Sequence, residues 1–224
     1  MNDRPITVLI ADDHTIVRRG LRSLLTLDAG IEVVGEASDG RAAVERALEL
    51  EPDVVLMDIS MPVLNGLEAT EQIKKRAQHV KVLVLSAYDN DEYVLQVTRS
   101  GANGYLLKNS SADELFAAIR SVAHGHSSFS PSVSRIVAEG ERKTAGKEKE
   151  GAAVRPLSRL TTREREVLQL VAEGNSHQKV AEALHISVRT VDTHCNNIMQ
   201  KLDIHESAGL VAFAIKNGII ILPR

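Results

Sequence analysis

The chain contains little cysteine and few aromatic residues: Cys195 is its one cysteine, it has no tryptophan, and aromatic residues make up 3% of the sequence. One cysteine cannot form an intrachain disulfide or assemble a cysteine-based zinc site, which fits a reducing compartment, and we expect the cytoplasm. The apolar runs, such as residues 219–222, are far too short to span a bilayer, so we expect no membrane segment. The amino terminus, residues 1–5, has no apolar stretch before a small-residue cleavage site, so we also expect no secretory signal.

The length and the charge distribution indicate two domains. A chain of 224 residues fits two domains of ordinary size better than one small core. Residues 1–125 carry 13 Lys and Arg against 19 Asp and Glu, residues 126–156 carry 6 against 4, and residues 157–224 carry 8 against 7, giving net charges of −6, +2 and +1. An acidic first domain suits a cation site, whereas the last segment is only mildly basic for a nucleic-acid binder.

Residues 1–125 alternate between short apolar runs with β-forming side chains and segments with helical spacing. The runs that we predict as strands are residues 6–10, 32–37, 54–58, 80–85 and 105–108. Each is followed by a pattern of apolar residues at helical spacing, the first over residues 14–27. This alternation predicts an α/β domain with a doubly wound, five-stranded parallel sheet of the flavodoxin-like kind and right-handed crossovers.

Polar side chains stand where four of these predicted strands end. They are Asp12 and Asp13, Asp58, Ser86 and Lys108. Because ligands of open α/β sheets bind beyond the carboxyl ends of the strands, we expect these side chains to lie close together. Three neighbouring carboxylates repel one another without a cation, and Mg²⁺ takes oxygen ligands. The sequence therefore predicts a site that holds Mg²⁺ and neutralises a phosphoryl group, with the Asp58 carboxylate as the nucleophile that accepts it.

The middle of the chain, residues 126–156, is predicted as a linker. It is rich in Ser, Gly, Ala, Lys and Glu and has little apolar periodicity. Ser130 and Pro131 begin a short predicted helix that includes Val133, Ile136 and Val137. The glycines in residues 140–153 disfavour a stable helix there, so we expect a flexible tether.

Residues 157–224 are predicted as an all-α domain of four helices. Residues 161–164 form a capping box, Ser176 caps a second helix, and a tight turn at residues 185–187 leads into a third helix over residues 188–202. A fourth helix is predicted over residues 206–217. Two short helices joined by a sharp turn predict a helix-turn-helix, whose second helix enters the major groove of DNA. The weak positive charge leaves a small protein-binding helical bundle open as an alternative.

The first domain resembles the receiver domain of bacterial two-component response regulators. The resemblance covers residues 5–125 and lies in Asp12-Asp13, Asp58 followed by Met61-Pro62 and Asn65-Gly66, Ser86-Ala87, and Lys108 preceded by Tyr105. It implies that a sensor histidine kinase phosphorylates Asp58. It also implies that Asp13 and Asp58 bind Mg²⁺ directly, that Asp12 acts mostly through water, and that the backbone carbonyl of Ser60 completes the protein ligands. Ser86 and Tyr105 resemble a switch pair whose hydroxyl moves towards the phosphoryl oxygen while the aromatic ring turns inward.

The second domain resembles the LuxR-type DNA-binding domain. The resemblance covers residues 157–220 and lies in residues 160–161, 163–168, 172–174, 180–182, 186–187 and 190–191, with His194, Lys201 and Leu202. A receiver joined to such a domain resembles the NarL/FixJ family of transcriptional regulators. The family pattern implies that Asp192, Thr193 and Asn196 reach base edges. It also implies that phosphates are contacted by Lys179, Arg189, Thr190, Asn197 and Lys201.

The chain departs from the family pattern at two positions of the third helix of this domain. Asp192 replaces a longer Glu or Lys, and as an acid it accepts a hydrogen bond from cytosine N4 but repels phosphate. Cys195 stands where a larger or basic residue is common, and we interpret it as a small packing residue. The fourth helix is expected to dimerise through an apolar face formed by Leu210, Val211, Phe213 and Ala214.

These patterns predict a transcription factor controlled by phosphorylation and not an enzyme. Its expected partners are a sensor kinase, double-stranded promoter DNA, a second copy of the chain and, as a further expectation, RNA polymerase. An aspartate-nucleophile phosphatase is one alternative, but such enzymes carry Asp-x-Asp, and this chain has Ser60 two residues after Asp58. The low basicity of residues 157–224 keeps a regulator of protein partners open as another alternative.

Overall fold

The structure is a computed structural model that describes residues 4–87, 91–129, 133, 135, 159–217 and 219–220. The chain divides into two compact units, and residues 62–65 are grouped with the second unit. The predicted linker and its short helix lie almost entirely outside the described residues, although Val133 and Arg135 are helical. The boundaries that we predict for the domains and the linker, at residues 125–126 and 156–157, stay predictions.

The first unit alternates five strands with five helices, as predicted. Its elements are β1 (Ile6–Ala11), α1 (Thr15–Leu25), β2 (Ile31–Ala37), α2 (Gly40–Leu50), β3 (Val54–Asp58), α3 (Gly66–Arg76), β4 (Lys81–Ser86), α4 (Asp91–Arg99), β5 (Gly104–Leu107) and α5 (Ala112–Ala123). The strand order is β2-β1-β3-β4-β5, and every neighbouring pair is parallel. This confirms the doubly wound, five-stranded parallel sheet.

The register of the sheet brings the carboxyl ends of four strands to one edge. Every residue of the central strand β3 is buried, which explains its continuous apolar sequence. Ala11 pairs with Met57, and Asp58 pairs with Leu85. Ser86 in turn pairs with Leu107 at the end of β5. The residues that end or follow β1, β3, β4 and β5 therefore meet at this edge.

The second unit consists of helices, which confirms the predicted all-α class. They are α6 (Thr162–Ala172), α7 (His177–Leu184), α8 (Val188–Leu202) and α9 (Ser207–Lys216). The side chains of Thr161, Ser176 and Ser187 each accept a hydrogen bond from a backbone amide in the first turn of the helix that follows. His185, in the left-handed region at φ 53°, ends α7 and begins the sharp turn into α8. These local signals account for the helix-turn-helix.

Several element boundaries differ from the predicted ones. The first helix ends at Leu25 and not at residue 27, and Leu27, the residue that extended the apolar pattern, is 78% exposed. The strand β5 ends at Leu107, where its pairing with β4 stops, so Lys108 follows the strand. Of the predicted dimerising face of α9, Leu210 and Ala214 are buried in the core of the second unit itself. Two of its four members are therefore unavailable to a partner.

No helix among the described residues has both the length and the apolar character needed to cross a membrane.

Gly66, at the start of α3, lies against the backbone of the residue that ends β3. A Cβ atom on Gly66 would lie 1.9 Å from the carbonyl oxygen of Asp58, a distance that no side chain can occupy. The Gly66 amide also donates a hydrogen bond of 2.9 Å to the carbonyl oxygen of Ile59. This close approach holds the loop after β3 against Asp58, and only glycine permits it.

We expect Gly66→Ala to lower the free energy of unfolding of the first unit by about 2 kcal/mol or more, because the added methyl group forces the backbone at Asp58 to move. Gly20→Ala is the matched control. A Cβ atom at Gly20, on the exposed side of α1, meets nothing within 4 Å. Alanine there should raise the free energy of unfolding by about 0.5–1 kcal/mol. Urea titrations of both variants make the measurement, and equal stabilities would contradict this account of Gly66.

Candidate functional site

Asp58 ends the central strand. Of the three acids at this sheet edge, Asp12 is the most buried and Asp58 is the next. Its residue surface is 5% exposed. Its Oδ1 atom accepts a hydrogen bond of 2.9 Å from the Ile59 amide and lies 3.0 Å from Nζ of Lys108. Burial raises the pKa of Asp58 to about 6, against the lowering effect of Lys108 and with a further rise from Asp12 and Asp13. The carboxylate is therefore held by two fixed donors in an acidic, largely water-free environment.

Lys108 joins the carboxylates of two strands. Its Nζ atom lies 2.6 Å from Oδ2 of Asp12 and 3.0 Å from Oδ1 of Asp58. Its backbone amide donates a hydrogen bond of 2.8 Å to the carbonyl oxygen of Ser86, which fixes the residue beyond the end of β5. Burial opposes its charge, yet the contacts with Asp12 and Asp58 raise the pKa of Lys108 above its ordinary value. The lysine is thus a cation that the two acids hold at the sheet edge.

The remaining acids complete a cluster that suits a hard cation. Ligand atoms of Asp12, Asp13, His14 and Asp58 all lie within 4.8 Å of one another. Oδ1 of Asp13 is shielded from solvent and lies 2.7 Å from Nδ1 of His14. Carboxylate oxygens at this spacing are the donors that Mg²⁺ prefers, so the predicted ligands Asp12, Asp13 and Asp58 fit the cation.

Two residues of this site were not predicted from the sequence. His14 joins the acids through its ring and through its backbone amide, which donates a hydrogen bond of 2.8 Å to Oδ1 of Asp12. Arg18, on α1, donates a hydrogen bond of 2.7 Å from Nη1 to the carbonyl oxygen of Asp12 and lies 3.4 Å from Oε2 of Glu36. The adjacency of His14 to Asp13 was the available signal, whereas nothing in the sequence marks Arg18.

The predicted switch pair lies on the two neighbouring strands β4 and β5. Ser86 is 1% exposed and Tyr105 is 4% exposed, so both side chains are buried. Tyr105 pairs with Val84, and its backbone amide donates a hydrogen bond of 2.9 Å to the carbonyl oxygen of Ser128. Ser60, the predicted carbonyl ligand, is exposed two residues after Asp58. The roles of Ser60, Ser86 and Tyr105 stay predictions.

The predicted DNA contacts of the second unit lie mainly on its surface. Those that are exposed are Lys179 on α7 and Arg189, Asp192, Thr193, Asn196 and Asn197 on α8, and Thr190 is half-buried. Thr190 also lies in the capping turn, where its amide donates a hydrogen bond to Ser187. Val191, Cys195 and Ile198 are the buried residues of α8. Cys195 is therefore the packing residue that we expected, and the DNA contacts themselves stay predictions.

Lys201 differs from the other predicted phosphate contacts because it has an intradomain partner. Its Nζ atom lies 2.8 and 2.7 Å from the two carboxylate oxygens of the buried Glu164. Burial raises the pKa of Glu164, but the hydrogen bonds from Lys201 and Thr161 outweigh it and lower the pKa below its ordinary value. The ion pair therefore joins α8 to the start of α6, and the positive charge of Lys201 is already balanced.

Comparisons with known proteins match both units. Residues 8–120 match the response regulator receiver domain, and residues 158–214 match the bacterial regulatory proteins of the luxR family. The chain is 41% identical to the transcriptional regulatory protein DegU of Brevibacillus brevis, over 97% of this chain and 96% of DegU. It is 40% identical to the response regulator protein VraR of Staphylococcus aureus, over 96% of this chain and 99% of VraR.

A similar solved structure is that of RcsB from Salmonella enterica serovar Typhimurium, bound to the promoter rprA in the presence of the phosphomimetic BeF3−. It is 26% identical with a TM-score of 0.53, over 94% of this chain and 98% of RcsB. The response regulator ChrA of a heme-sensing two-component system is 32% identical with a TM-score of 0.51, over 96% of this chain and 99% of ChrA. Both likenesses extend through the two units.

We expect Asp58→Asn to raise the free energy of unfolding at neutral pH without divalent cations, because the asparagine carries no buried charge. The pKa of Asp58 is about 6 in the folded chain against an ordinary value of 3.8. The stability that the protonated carboxyl provides is complete below pH 3.8 and is lost as the pH rises through about 6. The loss is on the order of 3 kcal/mol. Urea titrations in EDTA, at about pH 7 and about pH 4.5, measure it.

The increase in the free energy of unfolding that Asp58→Asn causes should therefore be large at the higher pH and small at the lower one. Glu45→Gln on α2, which removes an exposed carboxylate, is the control and should show no such dependence. An advantage for Asp58→Asn that is the same at both values of pH would contradict the raised pKa.

Proposed function

Because the chain belongs to the NarL/FixJ family of two-component response regulators, with a receiver domain and a LuxR-type DNA-binding domain, we propose that phosphorylation of Asp58 controls its binding to promoter DNA. The observation that carries the proposal is the position of Asp58. Its carboxylate ends the central strand, contacts Lys108 and shares the sheet edge with Asp12 and Asp13. A nucleophile, a cation and metal-binding acids together meet the needs of phosphoryl transfer.

We infer from the contacts of Asp58 which of its two oxygens attacks phosphorus. Oδ1 is held by the Ile59 amide and by Lys108, so Oδ2 is the oxygen that attacks phosphorus. The bond between phosphorus and the imidazole nitrogen of the kinase phosphohistidine breaks as the bond to Oδ2 forms. Lys108 then lies close enough to balance charge on the phosphoryl oxygens. Ser86 offers its hydroxyl from the neighbouring strand.

Asp12, Asp13 and Asp58 would hold Mg²⁺, with the carbonyl of Ser60 as a further ligand. When bound, the cation would neutralise negative charge on the phosphoryl group and on the three acids. Arg18 keeps the backbone of Asp12 in position through its carbonyl oxygen, and the His14 amide fixes the Asp12 carboxylate. These contacts hold Asp12 in position before any ligand binds.

The new charge is proposed to act on the second domain through Ser86 and Tyr105. A phosphoryl group adds about −1.5 to −2 charge at neutral pH, which biases an element that has two arrangements. In our proposal, the modified protein forms a homodimer in the cytoplasm, and paired α8 helices bind a two-fold promoter site. RNA polymerase is a further proposed partner.

The family consists of DNA-binding transcription regulators and not of classical enzymes. We propose accordingly that the acyl phosphate of Asp58 is a signal and not an intermediate of substrate turnover. The phosphatase alternative needs a second acid two residues after the nucleophile, and this chain has Ser60 there.

The phosphorylation site is tested with radiolabelled acetyl phosphate and Mg²⁺. We expect wild type to become labelled, Asp58→Asn to remain unlabelled and EDTA to prevent labelling, because the reaction needs both the nucleophile and the cation. Asp113→Asn, which changes an exposed acid on α5, is the matched control and should label like wild type. Full labelling of Asp58→Asn would place the acceptor elsewhere.

The contacts of Arg189 and Lys201 predict different effects on DNA binding. Arg189→Ala should weaken binding and reduce the slope of log affinity against log salt concentration by about 1, because one phosphate contact is lost. Lys201→Ala should change this slope less. It should instead lower the free energy of unfolding by about 1–3 kcal/mol, because Glu164 loses its partner.

Salt titrations with a promoter duplex and urea titrations of the same variants separate the two effects. Lys216→Ala, at the exposed end of α9, is the control for a general loss of positive charge. A larger change of slope for Lys201→Ala than for Arg189→Ala would contradict the assignment.

A further inference from the structure

His177, the first residue of α7, lies between two residues of α8. Its Nδ1 atom is 2.6 Å from Oδ1 of Asp192, and its Nε2 atom is 3.8 Å from Sγ of Cys195. Asp192 and Cys195 are three residues apart, so they lie on one side of α8 and one imidazole reaches both. His177 was not predicted as a functional residue from the sequence, because its two partners come from the next helix.

The order of donors and acceptors in this network follows from the buried thiol. Burial raises the pKa of Cys195, and the Asp192 carboxylate raises it further, so the sulfur retains its proton. With Nδ1 of His177 donating to Asp192, Nε2 is the ring atom that accepts from the thiol. The cysteine is 7% exposed and fixed in the core, whereas 53% of the Asp192 side chain is exposed. The network therefore extends from the core of the unit to its predicted DNA-binding surface.

The position of His177 also explains how an acid is tolerated on this surface. The side chain of Ser176 caps α7, and His177 is the first helical residue after it. His177 therefore places a ring nitrogen 2.6 Å from the Asp192 carboxylate, and this hydrogen bond offsets part of the cost of an acid at this position. Oδ1 is occupied by His177, which leaves Oδ2 as the acceptor for an outside donor. Asn196, a second predicted base contact, lines a cavity of about 340 Å³ that His177, Asp192 and Cys195 also line.

We propose that His177 determines base specificity by orienting Asp192. This inference rests on the proposed DNA-binding function and extends it. His177 fixes the Asp192 carboxylate so that Oδ2 accepts a hydrogen bond from the N4 amine of a cytosine in the major groove. His177 acts as a positioning residue, because it contacts the acid and not the base. Cys195 supports the imidazole from behind and does not take part in recognition.

The test is selection of bound duplexes from a randomised pool by the full-length protein, treated with acetyl phosphate and Mg²⁺. Wild type should enrich cytosine at one position of each half-site. Asp192→Ala should lose this preference by roughly fivefold to tenfold, which is the discrimination of one base-edge contact. His177→Ala should lose the same preference at the same position, and the double variant should lose no more than either single variant.

Two further variants separate orientation from folding. His177→Asn keeps a donor at the place of Nδ1 and loses the contact with Cys195, so it should retain most of the cytosine preference. Cys195→Val removes the thiol at similar volume and should leave the preference in place. Gln178→Ala, at the exposed next position of α7, is the control and should behave like wild type.

The outcomes distinguish the inference from the function on which it rests. If wild type enriches a site and His177→Ala keeps the full cytosine preference, the role of His177 is refuted and DNA binding stands. If His177→Asn loses the preference as completely as His177→Ala, orientation through Nδ1 is refuted. If wild type enriches no sequence, the DNA-binding function fails and the inference fails with it.

Discussion

The first domain depends on one electrostatic constraint: three acids are gathered at the edge of a buried sheet, and among the described residues one ammonium group, that of Lys108, contacts two of them. Desolvation alone would protonate Asp58 at neutral pH or expel it from the core. The lysine prevents this by joining β1, β3 and β5 through contacts with Asp12 and Asp58. The Asp58 carboxylate therefore stays charged within the fold. The three acids still outnumber the one lysine, and this excess of negative charge attracts a cation.

In the second domain, two charged side chains each contact a partner on another helix. Lys201 is balanced by Glu164, and Asp192 lies against His177, although each belongs to a different helix from its partner. Residues 157–224 together carry a net charge of +1. In our proposal, phosphate contacts come from exposed cations such as Arg189 and Lys179, and base contacts depend more on geometry than on bulk charge.

Much of this structure follows from the sequence, because the decisive signals are local. The apolar run of β3 and the polar residues that end four strands predict both the sheet and the site. The contacts of Arg18 and His177 could not be predicted, because their partners are a backbone carbonyl and side chains of another helix. The wrong assignment of Leu210 and Ala214 to a dimer face has a similar cause. The helix α9 is apolar on several sides, and its sequence does not reveal which side meets the core.

The late position of Lys108 in the chain affects how the domain is made. The ribosome releases Asp12, Asp13 and Asp58 long before it releases the lysine that balances them, and β5 is an edge strand that joins the sheet last in sequence order. A nascent chain that has emerged only as far as β4 carries the acids without their internal counter-charge. The acidic cluster therefore gains its internal counter-charge only when β5 has joined the sheet and placed Lys108 beside Asp12 and Asp58.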